Sequence, residues 1–108
     1  MFKFKAKKVL VTGASRGIGK AIAQGFAMNG AQVSLVYRKE KELADNLRNS
    51  LPGENHICVR SDVSVSEEAQ YAVSKTLDIF GSLDIVINNA GMYIDHPIAD
   101  VNFDDWQD

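Results

Sequence analysis

Short apolar runs alternate along this chain with longer stretches of helical periodicity. The runs at residues 8–11, 32–37, 56–60 and 84–87 are rich in Val and Ile, the pattern of strands covered on both faces. Between the first two, residues 16–29 read as a helix ended by Gly30. The next helix is charged and carries Leu43 and Leu47 on one side, with Pro52-Gly53 closing the unit. A third helix is opened by Ser64-Val65-Ser66-Glu67, which has capping-box spacing. Its predicted apolar stripe is Ala69, Val73, Leu77 and Phe80, and Gly81 ends it. Asn102 is placed to cap a further helix, with Asp105 as its N3 partner and Trp106 as an apolar anchor. Regular alternation of strand and helix predicts a parallel sheet joined by right-handed crossovers, with no linker or internal repeat.

The connection from the first strand to the first helix carries the strongest chemical signal. Thr12-Gly13-Ala14-Ser15-Arg16-Gly17-Ile18-Gly19 follows directly on Val9-Leu10-Val11. A strand, a glycine-rich turn and a helix start in this order present free amides and the positive end of the helix dipole to a phosphate. Gly13 allows the sharp turn off the strand. At Gly17 and Gly19 a Cβ would hold off a pyrophosphate or keep the helix away from the strand. The spacing is Gly-x-x-x-Gly-x-Gly, unlike the Gly-x-Gly-x-x-Gly of other dinucleotide sites. Gly19-Lys20 imitates the end of a P-loop, but Ala14 and Ala21 stand where that loop needs a glycine and a hydroxyl.

Together with Asn88-Asn89-Ala90-Gly91, the turn resembles the short-chain dehydrogenase/reductase family, and its wording is especially similar to the 3-oxoacyl-acyl-carrier-protein reductase branch. The resemblance runs from about Lys8 onward. It implies an α/β, Rossmann-type doubly wound parallel sheet of strand order 3-2-1-4 with helices on both faces. That sheet is expected to be incomplete: strand four lacks its next neighbour, which leaves Ile85, Val86 and Ile87 partly uncovered. Residues 1–108 then form the N-terminal, NAD(P)-binding half of a single-domain enzyme, apparently truncated.

An NAD-preferring fold of this kind places a carboxylate about 20 residues past the glycines, on the ribose hydroxyls. Tyr37 and Arg38 stand at the end of strand two instead, and a guanidinium suits a 2′-phosphate. Arg16 can approach the same phosphate from the glycine turn. The resemblance implies the same arginine pair for members preferring NADP(H) over NAD(H). It also assigns Asp62 and Val63 to adenine contact and Asn89, Ala90 and Gly91 to the cofactor. The candidate cofactor-binding residues are therefore Gly13, Ser15, Arg16, Gly17, Ile18, Gly19, Arg38, Asp62, Val63, Asn89, Ala90 and Gly91.

Hydride transfer in the family uses Tyr-x-x-x-Lys, a preceding Ser and usually an Asn. Tyr71-Ala72-Val73-Ser74-Lys75 matches the first pattern but precedes the Asn-Asn-Ala-Gly turn, whereas the family's pair follows it. At about 100° per residue, Tyr71 points away from the Val73 side of its helix, toward solvent. The matching Ser position falls near Cys58, which has no hydroxyl. No catalytic residue is assigned, and the chain alone is expected to be inactive. His56 and His96 lie far apart without further ligands at metal-binding spacing, so no metal site is assigned.

Composition narrows the partners. A net charge of −2, with 45% hydrophobic and 24% charged residues, gives no case for a nucleic-acid or membrane surface. The single cysteine, Cys58, fits a reducing compartment and reads as a packed thiol, and the basic N-terminus lacks the apolar stretch of a signal peptide, so a cytoplasmic location is expected. The resulting expectation is the NADP(H)-binding part of an oxidoreductase that moves hydride between NADPH and a carbonyl or alcohol, with a 3-oxoacyl thioester as one substrate class. Small-molecule substrate binding and homo-oligomer formation belong to the full-length form. The competing expectation is a non-catalytic module that binds NADP(H) or pairs with a homologue.

Overall fold

The computed structural model describes residues 3–15 and 17–89. Arg16, Ala90, Gly91, His96 and the expected cap of Asn102, Asp105 and Trp106 lie outside the described residues. The elements are β1 (Lys8–Thr12), α1 (Gly17–Met28), β2 (Gln32–Tyr37), α2 (Lys41–Ser50), β3 (Ile57–Arg60), α3 (Ser66–Phe80) and β4 (Ile85–Ile87). All strand pairings are parallel, in the order β3-β2-β1-β4. Val9 lies opposite Val33 and Ile85, and Ser34 lies opposite Leu10 and Ile57.

Alternate residues of each strand feed two cores. Val9, Val11, Val33 and Leu35 pack with Ile22, Ala23 and Phe26 of α1 and Leu47 of α2. Leu10, Val36, Val59 and Val86 pack with Ala69 and Ala72 of α3. Helices therefore cover both faces, which is why the strands are apolar at nearly every position. Val86 and Ile87 are buried, so the expected partial exposure of β4 is confined to Ile85, which is half-buried.

The helices depart from the sequence expectation where small residues outcompete large ones. In α3 the buried face is Ala69, Ala72, Thr76 and Phe80, while Val73 is partly buried and Leu77 is 41% exposed. Ala72 allows a close approach to the sheet, and the Thr76 hydroxyl meets Ser34 of β2 at 2.8 Å. It also donates to the Ala72 carbonyl at 2.8 Å. In α2 the buried pair is Ala44 and Leu47, with Leu43 43% exposed. The capping box does not form either. Val65 is the N-cap without a side-chain cap bond, and the Ser64 hydroxyl donates instead to Asp62 Oδ1 at 2.6 Å.

His56 immediately precedes β3 and is buried. Its Nδ1 accepts the Val33 amide at 3.0 Å, so the proton is on Nε2, which donates to the Pro52 carbonyl at 2.7 Å. Both ring nitrogens are thus committed to the backbone. The Cys58 thiol lies 3.3 Å from the Ala44 carbonyl, and burial pushes its pKa up to about 11. It is a packing thiol with little thiolate at neutral pH.

The Ser34–Thr76 pair yields a test of core specificity. Thr76→Val keeps the shape but leaves the Ser34 hydroxyl without that partner, which should cost about 1–3 kcal/mol. Adding Ser34→Ala should recover part of the loss, giving a coupling above about 0.5 kcal/mol in urea unfolding. Strictly additive losses would contradict a direct bond.

Candidate functional site

Three chain segments converge at the C-terminal edge of β1. The strand ends at Thr12, Gly13 turns with φ 61°, and α1 begins at Gly17 with φ 65°. These left-handed angles disfavour side chains, which accounts for glycine at both positions. Apart from its chain neighbours and its own helix backbone, nothing lies within 4 Å of where a Gly17 Cβ would stand, so the turn is open on that side. Gly19 is the opposite case. A Cβ there would collide with the Gly13 carbonyl oxygen and stand 2.8 Å from Asn89 Nδ2. The first turn of α1 thus rests directly on the strand end.

Asn89, just beyond β4, supplies the third segment. Its Nδ2 donates to the Gly13 carbonyl in a long contact of 3.4 Å. The Thr12 hydroxyl lies 3.3 Å from Asn88 Oδ1 and 3.4 Å from the Ile87 carbonyl. These contacts are weak individually. Together they close the end of β4 onto the turn after β1. The Ala14 amide donates to the Val36 carbonyl at 3.2 Å, which ties the same turn to β2.

Ser15 and Ile18 lie on the same turn with different surroundings. Ser15 is buried and donates to Glu40 Oε1 at 3.0 Å, whereas Ile18 is exposed. Arg38 follows β2, with its side chain 57% exposed and Nη1 3.8 Å from Asp62 Oδ2. It is paired across the strand ends as well as hydrated. Asp62 Oδ1 accepts from the Ser64 hydroxyl at 2.6 Å and the Ser64 amide at 3.1 Å. Those two bonds, with Arg38 and Lys39 as smaller contributors, hold the Asp62 carboxyl below its usual range. Glu68 of α3 fixes this loop by accepting the Asp62 amide at 2.7 Å and the Ser61 hydroxyl at 2.6 Å on its carbonyl. Val63 is buried in the α3-side core.

The structure therefore gathers Gly13, Ser15, Gly17, Ile18, Gly19, Arg38, Asp62 and Asn89 along the carboxyl edge of the sheet, where open α/β sheets bind ligands. Tyr71 is 51% exposed and Lys75 is exposed on α3, away from that edge. Glu40 was missed by the sequence reading. In sequence it lies within the charged run Arg38-Lys39-Glu40-Lys41, and only the fold brings its carboxylate to the glycine turn. No helix among the described residues is long and apolar enough to cross a membrane.

A doubly wound parallel sheet with a glycine-rich first βα turn defines a nucleotide-binding α/β protein. Residues 7–108 match the family model for short chain dehydrogenases, and the chain belongs to that family. It is 41% identical over 108 residues to glucose 1-dehydrogenase of Gluconobacter oxydans, covering 97% of this chain and 40% of that protein. Among solved structures it is similar to a short chain dehydrogenase of Burkholderia cenocepacia in complex with NADP. There the TM-score is 0.79 and the identity 36%, over 95% of this chain and 43% of the other. A 3-ketoacyl-(acyl-carrier-protein) reductase of Brucella melitensis complexed with NADH gives a TM-score of 0.71 at 33% identity, over 78% of this chain and 34% of the other. The chain thus spans about two fifths of the length of such relatives.

Gly17 and Gly19 lie two residues apart, yet their substitution should differ sharply. Gly19→Ala forces α1 off β1 and should lower the unfolding temperature strongly. Gly17→Ala meets open space and should cost only the left-handed backbone strain, about 1–2 kcal/mol. Thermal unfolding orders the two, and a more damaging Gly17→Ala would refute the close-approach reading.

Proposed function

We propose that this protein binds NADP(H) in the cleft between the glycine turn and the ends of β2, β3 and β4. It serves hydride transfer between NADPH and a carbonyl or alcohol substrate. The observation that carries the choice of cofactor is Arg38, an exposed guanidinium placed at the end of β2 where an NAD-selective fold carries a carboxylate. A planar, permanently charged group at that position suits bidentate contact with a 2′-phosphate. Arg16 of the glycine turn is the second candidate for that phosphate. Support for a nicotinamide dinucleotide also comes from the family, in which the Burkholderia cenocepacia relative is bound to NADP and the Brucella melitensis relative to NADH.

The residues present fit such a group. The open side of Gly17 leaves room for a pyrophosphate against the first amides of α1, and the seat of Gly19 on Gly13 brings those amides close to the strand end. When bound, the cofactor supplies or accepts the hydride. Gly13, Ser15, Ile18 and Gly19 hold the turn, Asp62 and Val63 are assigned to adenine contact, and Asn89, with Ala90 and Gly91, is assigned to contact with the cofactor. We assign no proton donor within this chain, since Tyr71 and Lys75 face solvent.

Residues 1–108 are read as the N-terminal, cofactor-holding part of a short-chain oxidoreductase, in line with the two fifths of its relatives' length that they span. The wording of the glycine turn favours a 3-oxoacyl thioester as the substrate class. Substrate binding and homo-oligomer formation are assigned to the full-length enzyme, and the unreactive Cys58 thiol suits a reducing cytoplasm.

Fluorescence titration with NADPH and NADH tests the cofactor. NADPH should bind more tightly, and Arg38→Asp should weaken it by about tenfold or more, or about 1.4 kcal/mol. Equal affinities, or an unchanged NADPH affinity in Arg38→Asp, would overturn the choice. Tyr71→Phe should alter neither binding nor any carbonyl reduction by the enzyme, whereas loss of turnover would make Tyr71 catalytic.

A further inference from the structure

Glu68 is the third residue of α3, the place from which a carboxylate reaches back to the N-cap amide in a capping box. Here it reaches further. Its Oε1 accepts the Asp62 amide at 2.7 Å, beyond the N-cap Val65. Its own carbonyl accepts the hydroxyl of the buried Ser61 at 2.6 Å. One residue thus grips the chain at both Ser61 and Asp62. The next residue, Ala69, packs in the apolar layer with Leu10 and Val36, so the grip starts from a helix seated on the sheet. Within the Asp62 carboxylate the two oxygens differ. Oδ1 accepts twice from Ser64, whereas Oδ2 has only the 3.8 Å contact with Arg38 among the described residues.

We propose that Glu68 is a positioning residue for the adenine of the bound dinucleotide: it sets the aim of Asp62 Oδ2, the oxygen that accepts from the exocyclic amine. This rests on the assignment of Asp62 to adenine contact. The two Ser64 bonds, and the Val65 amide that donates to the Asp62 carbonyl at 3.0 Å, lie within the loop. They shape it but do not fix where it sits. β2 holds its start, through the Ser61 amide on the Tyr37 carbonyl at 2.8 Å. Glu68 holds the residue that carries the carboxylate, and an ionised acceptor on a main-chain amide makes a strong bond. A group that faces a ligand keeps its direction only when the residues behind it are held. Glu68 therefore acts through Asp62 and is assigned no contact of its own with the cofactor.

The test is the preference for NADPH over its 6-deamino analogue, which carries an oxygen in place of the adenine amine. Dissociation constants of the full chain, read by fluorescence titration, should favour NADPH about tenfold, the worth of one hydrogen bond to a charged group. Glu68→Ala should cut that preference about threefold or more. Glu68→Gln keeps an acceptor oxygen for the Asp62 amide and should restore most of it. Equal weakening of both ligands in Glu68→Ala, with the preference intact, would show that Glu68 only steadies the loop and would overturn the proposal. Failure of the underlying assignment looks different. The unsubstituted protein would then show no preference for the amine, or Asp62→Ala would leave that preference untouched.

Discussion

The candidate site depends on the seating of Gly19 on the Gly13 carbonyl oxygen. It sets how near α1 can come to β1, and so where the unpaired amides of the first helical turn are presented. Ile22, Ala23 and Phe26 of the same helix then fall on Val9, Val11 and Val33. Asn89 donates to the same carbonyl with its Nδ2 next to the Gly19 seat, so the end of β4 is positioned by the geometry that positions the helix. A single added methyl group at Gly19 would disturb the helix, two strand ends and the phosphate-facing turn together.

Burial of the sheet on both faces raises a problem of specificity, since apolar layers can slide over one another. The α1–α2 side meets it with bulk, through Phe26 and Leu47. The α3 side uses a directional bond between Ser34 and Thr76 in an otherwise apolar layer. The net energy of one such bond is modest, but misalignment would take from the buried Ser34 hydroxyl its Thr76 partner, while Thr76 keeps its bond to the Ala72 carbonyl. α3 is in turn linked to the loop that carries Asp62, because Glu68 accepts from both Ser61 and Asp62. The position of that loop at the carboxyl edge is therefore coupled to the helix beneath it.

Much of this was legible in the sequence because the signals are local. Strand order, the alternation of elements, the positions of all four strands and the glycine turn follow from periodicity, from breaker residues and from the family resemblance. Misreadings arose where hydrophobicity was taken for burial. Val73 and Leu77 look like core residues, but Ala72 and Thr76 fit the sheet more closely. Ser64 looks like the start of a capping box, but the nearby Asp62 carboxylate competes for its hydroxyl and wins. Glu40 sits in the charged run Arg38-Lys39-Glu40-Lys41, and only folding reveals that it bonds to a serine 25 residues earlier. Cys58 was read correctly as a packing residue because its strand context fixes its neighbours.

His56 has a consequence for the sheet itself. In the parallel register it is the residue opposite Val33, one step before β3 begins at Ile57. Its imidazole nitrogen, rather than a backbone carbonyl, receives the Val33 amide, and the ring is braced from behind by Pro52. A side chain thus supplies the last rung of the ladder. Solvent protection of that one amide therefore follows the seating of the ring, whereas the neighbouring tie at this margin runs from the Gln32 side chain to the Asn55 carbonyl at 2.9 Å.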